Sequence, residues 1–224
     1  MENMEEPIMK NEMDEKNLKS QILQVARRMF AEYGYSGTTF QKIADELSIT
    51  KGSITYHFKN KFLIMEYFID DLFSQLKTFI DSFPDEYRNL YWRHCVLYIY
   101  VYRRVMRTSR SRELFYHKDQ QNQWQNHKIQ VVSHIYEQIE QDFHKSYDLE
   151  DLRMKAYMDM GARSRLFLVY QENPGLMTLD QYCYYHIYLI GALCKLDEET
   201  IQENIKSAFA FANSHEPKLD SIFQ

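Results

Sequence analysis

An all-α fold, with an N-terminal three-helix helix-turn-helix domain and a larger helical-bundle domain, is predicted by three observations. The 224 residues hold only six glycines and four prolines, so helix breakers are scarce over most of the chain. Apolar residues recur at three- and four-residue spacing in segment after segment, which is the helical period. Two short segments between Thr38 and Lys61 each follow a capping hydroxyl and are separated by a break of a few residues. The predicted division is a flexible acidic arm over 1–13, the helix-turn-helix domain over 14–62, and the helical body over 63–224.

Residues 1–13 are charged, carry Pro7, and lack periodic apolar positions. Residues 14–34 form the first predicted helix, with Leu18, Ile22, Val25, Ala26, Met29, Phe30 and Tyr33 as its apolar stripe. Gly34 ends it, a place suited to a left-handed residue. Phe40, Ile43, Ala44 and Leu47 then define the buried side of a short helix capped by Thr38 or Thr39. Ser48-Ile49 interrupts the pattern. Thr50 caps a second helix over about 51–58, whose Ile54 and Phe58 face inward while Lys51, Gly52, Ser53, Thr55 and Tyr56 face out. Asn60 can cap the next helix, rich in apolar residues to about Phe83, and Pro84 opens the following element. Further helices are predicted over about 84–108, 111–117, 120–145, 149–172, 178–194 and 197–213. The Asn173-Pro174-Gly175 triplet is the clearest break.

Two helices joined by a short turn, the second showing short polar side chains, match the shape of an element that enters the DNA major groove, roughly 12 Å wide. The charge distribution agrees. The whole chain carries −5, but from Asn17 to Phe62 seven basic residues face three acidic ones. A basic head on an acidic body confines phosphate attraction to one end.

The stretch Thr38–Lys61 also resembles the DNA-binding signature of TetR-type transcriptional regulators. Thr38, Thr39, Ile43, Ala44, Ile49, Thr50, Lys51, Gly52, Ser53, Ile54, His57, Phe58 and Lys61 match its order and spacing. Two positions depart: the pattern's turn glycine is Ser48, and its recognition-helix tyrosine is Thr55, with a tyrosine one place later at Tyr56. Serine at the turn implies either strain or a different turn conformation. The resemblance implies phosphate contacts from Thr39, Lys51, His57 and Lys61, and base reading by Gln41, Lys51, Ser53, Thr55 and Tyr56. His57 could instead pack the helix end, and Lys61 could be a solvated charge.

For the body, the resemblance implies a homodimer and a small-molecule effector, hence a repressor that leaves a near-palindromic double-stranded operator when the effector binds. The dimer face is expected on the helices near 150–172 and 178–194, where Gly161, Ala162, Ser164, Gly191 and Ala192 permit close approach. His94, Tyr98, Tyr102, Trp124, His127, Arg163, Phe167 and Tyr170 combine aromatic walls with polar tips, as effector pockets do. An aromatic-rich helical core has the same composition. Arg163, if buried, needs a carboxylate or an anionic ligand.

No catalytic or nucleotide-binding motif is present, and the eight histidines are scattered, with His127 and His134 seven apart rather than at zinc-pair spacing. Neither an enzyme, a metal site nor a cofactor is therefore expected. Three cysteines without a paired motif, no membrane-length apolar run and no signal-peptide pattern point to the cytoplasm. An activator or ligand-independent regulator of the same fold remains an alternative, as does a helical sensor or enzyme with a vestigial DNA-binding half.

Overall fold

The computed structural model describes the backbone of residues 5–119, 125–173 and 175–219, and the side chains of residues 17–115, 129–173 and 175–219. Among the described residues the chain forms ten α-helices and no strand. They are α1 (Glu5–Gly37), α2 (Phe40–Leu47), α3 (Lys51–His57), α4 (Lys61–Asp81), α5 (Leu90–Val105), α6 (Ser109–Asp119), α7 (Gln125–Asp142), α8 (Leu149–Glu172), α9 (Leu179–Leu193) and α10 (Glu198–Ser214). A 3-10 turn covers Pro84–Glu86. Two compact units result. The head contains the described residues through Asp71 together with 108–118, and the body contains 72–107 and the rest of the described chain to Leu219.

In the head, α1, α2 and α3 pack on one another. Ile22, Ala26 and Phe30 of α1, Ile43 and Ala44 of α2, and Ile54 of α3 are each fully buried, the inward positions that helical spacing selects. Each fully buried large apolar side chain stabilises the fold by about 1.5–3 kcal/mol. Helix α1 begins well before residue 14 and takes in most of the segment expected as an arm. Its regular conformation breaks at Gly34 (φ 72°, ψ −178°), where the sequence placed its end. Tyr33, assigned to the apolar stripe, is half exposed. α6 belongs to this unit: Arg110 Nη1 donates to Ala31 O at 2.5 Å, just before the Gly34 break.

In the body, α5 packs against α7, α9 and α10, and α8 packs against α7 and α9. Helix α5 is central to this packing. The structure buries nearly all of it, including Tyr91, Trp92, Cys95, Val96, Ile99, Tyr100 and Tyr102. A helix buried on nearly every side is the central helix of its bundle. It starts at Leu90, later than expected, because Asn89 caps it: its side chain accepts from the Trp92 amide at 2.8 Å. Pro84 instead opens the 3-10 turn.

Gly191 on α9 is not on an outer face as expected for a dimer contact. It is buried, and a Cβ there would meet Tyr91 Oη at 2.6 Å and Ile201 Cγ1 at 2.8 Å. Tyr91 is held there by its hydroxyl, which donates to Ile187 O at 2.8 Å. Gly191→Ala should therefore overpack the centre of the body and destabilise it by about 1–3 kcal/mol. Urea denaturation would measure this, and an unchanged midpoint would contradict the packing.

Candidate nucleic-acid interface

Both helices of the helix-turn-helix start at a threonine. Thr39 Oγ1 accepts from the Lys42 amide at 3.2 Å to open α2, and Thr50 Oγ1 accepts from the Ser53 amide at 3.1 Å to open α3. Between them Ser48 adopts the left-handed conformation (φ 54°, ψ 38°). The Ile49 amide reaches back to Ala44 O at 3.0 Å and the Ser48 amide to Asp45 O at 3.2 Å. These bonds satisfy the open carbonyls at the end of α2 and turn the chain sharply. Of the two alternatives the sequence left for Ser48, the structure takes the left-handed turn and its strain.

With Ile54 buried at 0% and Phe58 at 4% exposure, the opposite side of α3 is held outward. Lys51, Gly52, Thr55 and Tyr56 are exposed there, Tyr56 to 72%, while Ser53 and His57 are half-buried. On α2, Gln41 is exposed, as is the cap Thr39.

Residues 22–66 match the family model described as "Bacterial regulatory proteins, tetR family". Residues 22–66 form a TetR-family DNA-binding domain. Similar stretches occur in the HTH-type transcriptional repressor KstR2 of Mycolicibacterium smegmatis, 37% identical over 68 residues, which cover 29% of this chain and 33% of that protein. The biofilm operon icaADBC negative transcriptional regulator IcaR of Staphylococcus aureus (strain Newman) is 38% identical over 63 residues, 28% of this chain and 34% of that one. The chain thus spans about a third of the length of these curated relatives. Two solved structures share the fold more fully. TylP of Streptomyces fradiae aligns with TM-score 0.54 at 16% identity, covering 94% of this chain and 97% of its own. SmeT, the repressor of the Stenotrophomonas maltophilia multidrug efflux pump SmeDEF, aligns with TM-score 0.51 at 18% identity, covering 78% and 88%.

Within the TetR-family domain, several polar groups are already engaged. Thr55 Oγ1 donates to Lys51 O at 2.7 Å, so toward a base edge it offers lone pairs and a methyl group. Ser53 Oγ lies 2.9 Å from Thr50 Oγ1. Gln41 Nε2 donates to Asp45 Oδ1 at 2.7 Å, leaving the Gln41 carbonyl oxygen as an acceptor. The Tyr56 and His57 rings meet edge to face at 5.2 Å.

Lys61, expected at phosphate, has partners inside the head. Its Nζ donates to Thr38 O at 2.6 Å and also to Tyr35 O, and it lies 4.1 Å from the centroid of the Tyr35 ring. Burial lowers its pKa. A phosphate contact would take it from these carbonyls, so Lys61 is a clamp that ties the start of α4 to the α1–α2 joint. The charge count of the TetR-family domain changes accordingly. Arg27 pairs with Asp71 at 3.2 Å, Arg28 pairs with Glu46, and Lys42 Nζ donates to Gly37 O at 2.8 Å beside the Tyr33 ring. The exposed cations at α3 and its end are Lys51 and Lys59.

Six of the residues expected in an effector pocket lie in the body. His94, Tyr98, Tyr102 and Phe167 are buried, and Arg163 and Tyr170 are half-buried. Trp124 and the side chain of His127 lie outside the described residues. The structure adds Asp159, Tyr182 and His186, which the sequence reading missed. Their signal was four-residue spacing: Asp159 to Arg163 on α8, and Tyr182 to His186 on α9. Arg163 Nη2 meets Asp159 Oδ2 at 2.8 Å, so the expected carboxylate comes from its own helix. Tyr102 Oη lies 3.1 Å from His186 Nδ1. Burial opposes the Asp159 charge, but Arg163 and His186 outweigh it and hold its pKa low. Burial pushes His94 down to about 3 and lowers His186, so both imidazoles are neutral at pH 7.

Lys61→Met should lower the unfolding midpoint and weaken binding to duplex DNA without altering the slope of log K against log salt. Lys51→Met should flatten that slope by about 0.9 for each phosphate that Lys51 neutralises. A flattened slope for Lys61→Met would contradict the clamp. Ser48→Gly should stabilise the domain by up to about 1 kcal/mol, since glycine adopts the left-handed turn without a Cβ penalty. A lower melting temperature would contradict the strain at Ser48.

Proposed function

We propose that this chain is a dimeric, sequence-specific DNA-binding repressor, released from its operator by a small molecule held in the body. The observation that carries the reading is the outward polar face of α3, set on a TetR-family turn and flanked by Lys51 and Lys59. The relatives KstR2 and IcaR, named as a repressor and a negative regulator, support repression through the same stretch of chain. Lys51, Gly52, Ser53, Thr55 and Tyr56 would meet the major groove, with Gln41 adding a base contact and Thr39 and His57 meeting phosphate.

One short recognition helix reads few bases, so a symmetric pair reading half-sites about 34–36 Å apart is the physical requirement. Helix α8 offers a face for it. Met154 and Met158 are about half exposed, and Gly161 and Ala162 continue the same stripe outward. Four- and three-residue spacing puts these positions in line, and small residues let two helices approach closely. Tyr185 and Ala192 of α9 are exposed as well. The effector acts by binding better to the form that does not fit DNA, since equal affinity for both forms shifts nothing. A regulator of this kind needs no catalytic group and works in the cytoplasm. No helix among the described residues is long and apolar enough to cross a membrane.

Selection of binding sites from random duplexes, followed by gel shift, tests the reading. A near-palindromic site is expected, with changes at Ser53 or Thr55 altering preference at individual base pairs. Met158→Glu combined with Ala162→Glu should convert a species of twice the 27.2 kDa chain mass to a monomer in sedimentation, with at least a tenfold loss of operator affinity. A monomeric wild type that ignores duplex DNA at low salt would overturn the proposal.

A further inference from the structure

Tyr98, near the middle of α5, is enclosed by three basic side chains and one carboxylate. His94, one turn earlier on α5, stacks with its ring at 6.4 Å. His186 of α9 meets the ring edge-on at 4.6 Å, and the Arg163 guanidinium of α8 lies 5.6 Å from its centroid. Asp159 of α8 ties these groups together. Its Oδ2 takes Arg163 Nη2 at 2.8 Å, and its Oδ1 faces His186 Nε2 at 3.2 Å. The other ring nitrogen, His186 Nδ1, lies 3.1 Å from Tyr102 Oη, back on α5. Three helices thus meet at one joint, with α5 on one side and the α8–α9 pair on the other.

At neutral pH the joint is balanced, since Asp159 and Arg163 cancel and both imidazoles are neutral. Acid upsets the balance. His94 and His186 are 5% and 1% exposed, so water does not screen a proton taken up there. A protonated His186 gains Asp159 as a counter-ion, but that carboxylate already serves Arg163. His94 Nδ1 makes no hydrogen bond, so an imidazolium there meets no acceptor at that atom. With both protonated, three cations share one carboxylate among tyrosine rings, and buried charge without a partner is costly. The other acids of the packed elements are engaged or turned outward. Asp81 of α4 is bound by Arg93, Glu137 and Glu140 of α7 by His134 and Lys155, Asp151 of α8 by Lys155, and Asp180 of α9 by Arg103. The acids of α10 are exposed. Lys77 of α4 and Arg93 add repulsion at His94, and burial keeps the Tyr102 and Tyr136 phenols neutral.

We propose that this joint is a proton-operated release, in which protonation of His94 and His186 drives α5 away from the α8–α9 pair. Burial lowers both imidazoles below their ordinary 6.5, which sets the direction. The closed joint refuses protons that an open one accepts. Opening therefore becomes easier as pH falls below 6.5 and is unaffected above it. From pH 7 to pH 5.5, one histidine that stays neutral in the closed form eases opening about eightfold, and two ease it about seventyfold. Helices α8 and α9 carry the face assigned above to dimerisation, so acid also weakens the pair on DNA. That consequence, unlike the joint itself, rests on the regulator reading.

The buried thiols Cys95 of α5 and Cys183 of α9 report the opening. Full-length protein would be treated with a dipyridyl disulfide at pH 7 and pH 5.5, each rate divided by the rate in urea at the same pH. Circular dichroism follows helicity alongside. The corrected rate should rise at least tenfold on acidification while helicity is kept. His94→Phe, which keeps a ring and removes the proton site, should cut that rise at least fourfold, and His186→Gln should cut it as well. Imidazole NMR of the unmodified protein should show both rings still neutral in the closed form at pH 5.5. An absent rise, a rise unchanged in His94→Phe, a rise only with loss of helicity, or a His94 imidazolium in the closed form would each overturn the proposal. Duplex affinity at the same two pH values separates the readings. Histidine-dependent opening without DNA binding removes the regulator and leaves the joint; DNA binding with thiols protected at both pH values does the reverse.

Discussion

The left-handed turn at Ser48 is the constraint from which the head takes its form. It allows Ala44 O to accept the Ile49 amide, and that single reversal brings Ile54 onto the core already made by Ile43, Ala44, Ala26 and Phe30. Once Ile54 and Phe58 are buried, the register of a seven-residue helix leaves no freedom for the other side. Lys51, Gly52, Thr55 and Tyr56 must face out. So short a helix is not stable by propensity. Its cap, its two buried residues and the turn together hold it.

The same economy governs the charges. A basic head would seem to present a broad cationic surface, yet most of its cations are occupied within it. Arg27 and Arg28 meet carboxylates, Lys42 meets a carbonyl and a ring, and Lys61 clamps the joint between α1 and α2. Clamping lysines desolvate at some cost, but they fix the angle at which α2 and α3 leave α1 and α4. The attraction for phosphate then falls on a few positions at α3, which suits recognition by fit over recognition by bulk charge. The body shows the complementary logic, with ions buried as compensated pairs such as Asp159–Arg163 among tyrosine rings.

The fold was legible because its signals are local. Helical spacing located most of the helices, the threonines placed the starts of α2 and α3 to within a residue, and Gly34 located the break in α1. What sequence could not supply was the identity of distant partners. Lys61 reads as a surface cation until the Tyr35 and Thr38 carbonyls are placed against it, 26 and 23 residues away. Gly191 reads as a small contact residue until Tyr91 occupies the space above it. Asp159 and His186 were overlooked because each is one polar residue on an otherwise mixed helix, and only packing brings them together. The outward face of α3 was read correctly, since it depends on Ile54 and Phe58 alone.

The central claim is that α3 is the surface that meets duplex DNA. Backbone amide NMR of the full-length protein, titrated with a duplex obtained by site selection, tests it most directly. The account predicts perturbed amides concentrated at residues 39–42 and 51–57, with the α5 and α10 amides unmoved. Perturbations confined to the body, or none at low salt, would contradict it.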